Sequence, residues 1–350
     1  MISTIAGGSI HPWLLAALLV VLAIQSVVLW LVLLRLNRLL KSVGAIGVRL
    51  HWASKAAQSP EAGGALDTPP PPKAKSPGVA ARIGSATVEP PKPAAHATWT
   101  NSVGMALARI EPVEFTMGSS DAKSPDNEKP AHSVKLTQAY FMAVTPVTNA
   151  QYEQFNPDHR QLRPPWNGDD HPVVFTNWNE AAAFCLWLSQ REGHDYRLPT
   201  EAQWEFAARG SDGRIFPWGN QWDPRRCNSA EEGGGFDQTS PVTQFLNGAS
   251  PHGILDMVGN VWEWCADWYE PGYGSGTARE NPTGPADGQY KVCRGGSWMN
   301  HGYSCRATMR ARRAADFSDA YLGFRVVCVS EIGADTATAV KAGAEVCETD

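Results

Sequence analysis

Residues 13–34 read WLLAALLVVLAIQSVVLWLVLL, twenty-two residues in which only Gln25 and Ser26 are polar. At 1.5 Å of rise per residue, a helix of that length crosses a hydrocarbon core of about 30 Å. Trp13 and Trp30 then fall where indoles settle, at the two membrane interfaces. No basic residue precedes the run and no small-residue cleavage pattern closes it, so it reads as a retained single-pass anchor and not as a cleaved signal peptide. Residues 1–12 form a short tail without Lys or Arg, whereas Arg35, Arg38, Lys41 and Arg49 come directly after the run. The positive-inside rule therefore places the C-terminal side of the anchor in the cytoplasm. Residues 35–53 are a basic amphipathic juxtamembrane segment, which either lies on an anionic leaflet or continues the helix.

Residues 54–98 are dominated by Pro, Ala, Gly and Lys and hold almost no large apolar side chain, so they cannot bury enough surface to fold and read as a disordered linker. Residues 331–350 read as a flexible polar tail. The rest of the chain, residues 99–330, is the globular domain. The net charge is −5, yet residues 35–97 carry nine Lys/Arg against three Asp/Glu, so the domain itself is acidic and nucleic acid is excluded as its partner. Seven cysteines without a CxxC pair argue against a zinc site and a dense disulfide framework.

Three helix starts are legible. Asn177 can cap WNEAAAFCLWLSQRE, whose Ala181, Phe184, Cys185 and Leu188 share one face before the stop at Gly193. Thr200 opens a helix to about Ala208 with Gln203 at its third position, and Thr148 pairs with Gln151 in the same way. The runs VEFTMGS, VKLTQAYFMAV, KVCRGGSW and LGFRVVCVS predict short strands, and 209–255 has no usable period. With 14 Trp, 32 Gly and 26 Pro the domain reads as loop-rich α+β with small antiparallel sheets, and nothing alternates as βαβ.

Two segments could carry chemistry. In ILDMVGNVWEWCADW (254–268), Asp256 and Glu263 flank a glycine turn at Gly259-Asn260. The pattern fits either a hard cation such as Ca²⁺ or a tight turn with two acids beside core Trp262 and Trp264. In CRGGSWMNHGYSCRATMRARR (293–313), Cys305 stands among Arg306, Arg310 and Arg313. Either the guanidiniums activate a reactive thiol, or the cysteine packs in the core while the arginines pair with acids and stack on aromatic rings. Cys185 on a helix face and Cys328 in the last strand could meet as a disulfide, which would imply an oxidising compartment. His132, His171, His252 and His301 have no catalytic motif around them.

The segments FTMGS (115–119), VTPVTNAQYEQF (144–155), YRLPTEAQWEFAARG (196–210), FPWG (216–219), DMVGNVWEW (256–264), RGGSW (294–298) and GFR (323–325) resemble, in order and spacing, the formylglycine-generating enzyme (sulfatase-modifying factor) family over about residues 99–330. The resemblance implies a C-type-lectin-like fold. It implies Ca²⁺ held by the Asp256 and Glu263 side chains and the Gly259 and Val261 carbonyls. A second family calcium site would need an acid where Gly234 stands, and is not expected. It further implies a substrate groove at Trp262, Ser297, Trp298, Asn300 and His301, and a protein or peptide as the ligand. Active members oxidise a sulfatase cysteine to formylglycine with O₂ and Cu(I) held by two cysteines. The second of these corresponds to Cys305, with Ser297 beside it as the other catalytic candidate, but the first corresponds to Asn300, and an amide is a poor substitute for a thiolate. Cys293, in a predicted strand, is the other cysteine near Cys305 in sequence. The resemblance therefore points first to a membrane-tethered binding or regulatory module. A copper-dependent oxidase, or another oxidation of the kind found in natural-product pathways, is the alternative, though ergothioneine-type relatives need a helical domain that residues 1–98 cannot supply. Family members are often exported, which opposes the charge rule on the side of the membrane.

Overall fold

The computed structural model describes residues 98–272 and 280–329. The anchor at 13–34, the juxtamembrane segment, the linker up to residue 97 and the tail at 331–350 lie outside the described residues. No helix among those described is long and apolar enough to cross a membrane.

Eleven strands and three α-helices are described. In chain order they are β1 (Thr98–Thr100), β2 (Ala106–Ile110), β3 (Val113–Met117), β4 (His132–Leu136), β5 (Tyr140–Ala143), α1 (Asn149–Tyr152), α2 (Trp178–Glu192), β6 (Tyr196–Arg197), α3 (Glu201–Arg209), β7 (Trp262–Trp268), β8 (Lys291–Arg294), β9 (Arg310–Arg313), β10 (Leu322–Gly323) and β11 (Val327–Cys328). They form a five-stranded sheet β1-β2-β5-β11-β6, a four-stranded sheet β10-β7-β8-β9 and the hairpin β3-β4. The domain is therefore α+β, and β11 joins its last residues to the strands that open it.

Each helix begins with a reciprocal capping box. Asn177 Oδ1 accepts from Glu180 N at 3.0 Å while Asn177 N donates to Glu180 Oε2, and Thr200 with Gln203 and Thr148 with Gln151 repeat the arrangement. Helix α2 ends on Gly193 at φ 72°, the left-handed stop its sequence announces. Its buried face is Ala181, Phe184, Cys185 and Leu188, packed with Tyr152, Trp264 and Phe324 in one of two large cores. The other core surrounds Trp204 and Phe206 of α3.

Several expectations change. Thr98, the last residue assigned to the linker, pairs with Ala108 and belongs to β1. VKLTQAYFMAV divides into β4 and β5, which enter different sheets. One pairing is parallel, Leu322 and Gly323 beside Trp262 and Glu263. Cys185 and Cys328 lie in the same core but no disulfide joins them, and both are buried thiols.

The polar interior is held by Glu–Arg pairs. Arg306 donates to both Glu128 oxygens at 2.8 Å, Arg310 to both of Glu201 at 2.7 and 2.9 Å, Arg325 to both of Glu263, and Glu205 receives Arg209 and Arg294. Arg310 also stands over Tyr269, and Arg313 over Phe317. The arginines C-terminal to Cys305 thus stitch distant segments together and stack on rings, as bidentate guanidiniums do when buried.

Candidate functional site

The loop entering β7 needs three residues at positive φ: Asp256 (53°), Gly259 (77°) and Asn260 (58°). At Gly259 a side chain is ruled out twice, because a Cβ there would lie 2.4 Å from the Asn228 carbonyl oxygen. Asn260 tolerates the conformation because its amide serves as the hub of the turn. Its Oδ1 accepts from Ser240 N at 3.0 Å, and its Nδ2 donates to Ser240 O and to Asp256 Oδ2, both at 3.1 Å. The backbone of the same turn accepts Trp298 N and donates to Asn228 O and Gly295 O, so three loops converge on it.

Asp256 Oδ1 is buried without a hydrogen-bond partner among the described residues, and so are Asn228 Oδ1 and Ser240 Oγ, which belong to the two residues Asn260 joins to Asp256. Burial pushes the Asp256 carboxyl up to about 7. An orphaned buried carboxylate oxygen among further oxygens suits a hard cation. Glu263 differs. Its Oε2 accepts from Trp204 Nε1 at 2.8 Å and from Arg325 Nε at 2.6 Å, and its Oε1 accepts from Arg325 Nη2 at 2.7 Å. Its charge is already matched, and one lone pair of Oε1 is what it retains for a cation. Among the described residues no group of three or more His, Cys, Asp or Glu could hold a metal.

Asn300 closes the second loop. Its Oδ1 accepts three bonds, from Ser297 N at 3.0 Å, Ser297 Oγ at 2.8 Å and Trp262 Nε1 at 2.9 Å. The structure thus joins Trp262, Ser297 and Asn300 through one amide oxygen. Trp298 turns its indole N–H to Ala320 O at 3.3 Å, and His301 is half exposed with Nδ1 3.9 Å from Glu231 Oε1. Met299 and Tyr303 expose apolar surface along the same segment.

Cys305 is fully buried and packs with Cys227, in a small core apart from the one that holds Cys293. The proximity of Cys305, together with burial, pushes the Cys227 thiol well above its usual range. Cys227, Val258 and Cys305 form a small core of their own, against which Trp218 and Trp222 pack. Glu231 fixes that cover, accepting from Trp222 Nε1 at 2.6 Å and from Gly302 N at 2.8 Å. The sequence offers no signal for Cys227, because it lies in a stretch without periodicity and meets Cys305 only through tertiary structure.

The model of the sulfatase-modifying factor enzyme 1-like domain matches residues 96–329. The formylglycine-generating enzyme of Streptomyces coelicolor is 32% identical over 285 residues, 62% of this chain and 87% of that protein. The bovine protein named inactive C-alpha-formylglycine-generating enzyme 2 is 37% identical over 180 residues, 47% of this chain and 52% of its own length. Among solved structures, that of PvdO from Pseudomonas aeruginosa superposes with a TM-score of 0.59 over 67% of this chain and 98% of its own, at 23% identity, a likeness of fold alone. With its motifs, its α+β architecture and these relatives in agreement, the chain belongs to the sulfatase-modifying factor enzyme 1-like, or formylglycine-generating enzyme, domain family.

Proposed function

We propose that this domain is a non-oxidising binding module of its family, which holds a protein or peptide segment on the surface around Trp262, Ser297 and Asn300. One observation carries the reading: Asn300 Oδ1, where the first copper thiolate would stand, is occupied by three N–H and O–H donors. An amide oxygen is a hard donor, and this one already braces Trp262 against Ser297. Residues 300 and 305 therefore do not fit a family-type copper centre, and no oxidation step is derived through one. The exposed Met299 and Tyr303 supply apolar anchors of the kind that dominate peptide recognition. A relative whose name marks it as inactive supports the idea that the family includes members without oxidase activity.

In this reading the apolar segment 13–34 carries the domain to a membrane, and the basic residues after it favour the cytoplasmic side. Ca²⁺ is proposed as a structural ion at the Asp256 turn, held by Asp256 Oδ1 with the Gly259 and Val261 carbonyls and the remaining lone pair of Glu263. There it would neutralise a buried carboxylate and stiffen the loop that presents Trp262.

The test uses the full-length protein with a labelled Cys-x-Pro-x-Arg peptide, incubated in air with Cu(I). We expect binding by fluorescence anisotropy, weakened about tenfold by Tyr303→Ala, and an unchanged peptide cysteine by mass spectrometry. Conversion of that cysteine to an aldehyde would overturn the reading and establish an oxidase. Absence of binding would also overturn it for this class of peptide.

A further inference from the structure

Met299 stands at the tip of a turn whose other residues are all tied down. Asn300 N donates to Ser297 O at 2.9 Å and closes the turn, Met299 N donates to Ser297 Oγ at 3.3 Å, and Ser297 Oγ donates to Asn300 Oδ1 at 2.8 Å. Beyond the turn, Trp298 N donates to Asn260 O at 3.0 Å and Ala230 N to Asn300 O at 2.9 Å. The backbone is fixed on both sides, yet the Met299 side chain is 47% exposed. Other methionines are placed differently. Met105, Met117, Met142 and Met257 are buried, and Met309 packs partly buried against a core, its sulfur accepting from Arg306 Nη2 at 3.6 Å. Among the described residues, Met299 is therefore the one methionine that leaves its side chain largely in solvent, and the described cysteines are all buried.

We propose that Met299 is a modification site, at which a peroxide oxidant switches the binding surface from apolar to polar. The proposal rests on the peptide-binding reading of that surface. In the step, one oxygen of hydrogen peroxide passes to the thioether sulfur as the O–O bond breaks and the S=O bond forms. The sulfur loses two electrons, and the other peroxide oxygen leaves as water with both peroxide hydrogens. Exposure makes the reaction selective, because the buried methionines are shielded and the Met309 sulfur already faces a guanidinium. The product is a polar, chiral side chain on an unmoved turn. A peptide group packing on it must strip water from the sulfoxide oxygen without replacing the hydrogen bond. Tyr303, 57% exposed in the same segment, does not take part and remains as an anchor, so oxidation weakens binding and does not abolish it. Leucine would offer a similar apolar contact, and only the thioether lets that contact be switched. Reversal consumes two thiols, which become a disulfide while the oxygen leaves as water, and is the reaction of methionine sulfoxide reductases.

Full-length protein is treated with hydrogen peroxide, the excess is destroyed with catalase, and the labelled Cys-x-Pro-x-Arg peptide is then added. Mass spectrometry of the digested protein is expected to show Met299 oxidised ahead of Met309 and of the buried methionines. Anisotropy is expected to show affinity reduced about tenfold and restored by methionine sulfoxide reductase with dithiothreitol. Met299→Leu removes the thioether, so its affinity, whatever the starting value, should be the same before and after treatment. Cys347→Ser should lose affinity on treatment as the wild type does. Should Met299→Leu bind too weakly to measure, repair by the reductase keeps the test decisive. The melting temperature of the treated protein should be unchanged, and a fall would trace the lost affinity to unfolding and overturn the proposal. Earlier oxidation of another described methionine, affinity that survives oxidation of Met299, or an equal loss in Met299→Leu would each overturn it while leaving the peptide-binding reading in place. No binding by the untreated protein would overturn both.

Discussion

A single buried oxygen separates two accounts of the glycine turn. If Asp256 were only a turn residue, its Oδ1 would be expected to find a donor, because an unpaired buried acceptor costs about 1–3 kcal/mol. Instead Asn260 satisfies Oδ2 alone. A cation binding the folded state and not the unfolded one stabilises by about 2.7 kcal/mol when present at a hundred times its dissociation constant. We therefore expect millimolar Ca²⁺ to raise the melting temperature of the wild-type protein over that in chelator, and to leave Asp256→Asn unmoved. Asn fits the same space and can still accept from Asn260, so the variant removes the charge with little change of shape. An equal rise in both proteins would place the ion elsewhere or nowhere. Glu263→Gln is the less telling variant, since it strands Arg325, a fully buried cation with that carboxylate as its ion-pair partner.

At the scale of elements, the helices stand on local chemistry. Asn177 satisfies the Glu180 amide of α2 and Glu180 satisfies Asn177 in return. Asn177→Ala should cost about 1 kcal/mol of unfolding free energy, measured by urea denaturation, while leaving peptide affinity unchanged. No loss would mean that the hydrogen bond of the Trp178 backbone to Ala315 O already fixes the start of the helix. The same locality explains what can be read without a structure. Asn177, Thr200 and Thr148 announce their helices because cap and third position are three residues apart. Strand β7 gives no such signal: all but two of its residues are buried, so the alternation that marks a half-buried strand is missing. LGFRVVCVS reads as one strand but breaks at Arg325, which turns inward to Glu263 and separates β10 from β11. The site divides in the same way. Trp262, Ser297 and Asn300 are legible from motifs, whereas Cys227 joins Cys305 only because the loops carrying Gly259 and Gly296 pack together.

At the scale of the whole molecule, buried charge makes stability depend on pH through groups with opposing signs. Burial raises the carboxyls of Asp256 and Asp267 to about 7, whereas burial lowers His159 to about 4 and also lowers His171. Glu205 goes the other way from the aspartates, because Arg294 and Arg209 outweigh its burial. A group whose folded pKa is raised contributes stability that is complete below its unfolded pKa and is lost as pH rises through the folded value. For Asp267 that window runs from about 4 to about 7. The histidines shift stability in the opposite direction over much of the same range, so the raw pH profile conceals each contribution. The difference between wild type and Asp267→Asn isolates one. Asn keeps an oxygen for the Glu201 amide, which Asp267 Oδ2 accepts at 2.8 Å, but cannot ionise. Relative to wild type, the variant should gain stability between pH 4 and 7 at up to about 1.4 kcal/mol per unit, and its advantage should level off above pH 7. Urea denaturation at pH 4.5, 6 and 8 measures it, with calcium held constant so that Asp256 contributes equally to both proteins. A difference that does not change with pH would mean that Lys291, whose ammonium lies between the Trp178 and Trp268 rings at 3.9 and 3.8 Å, together with Arg310 holds Asp267 ionised throughout.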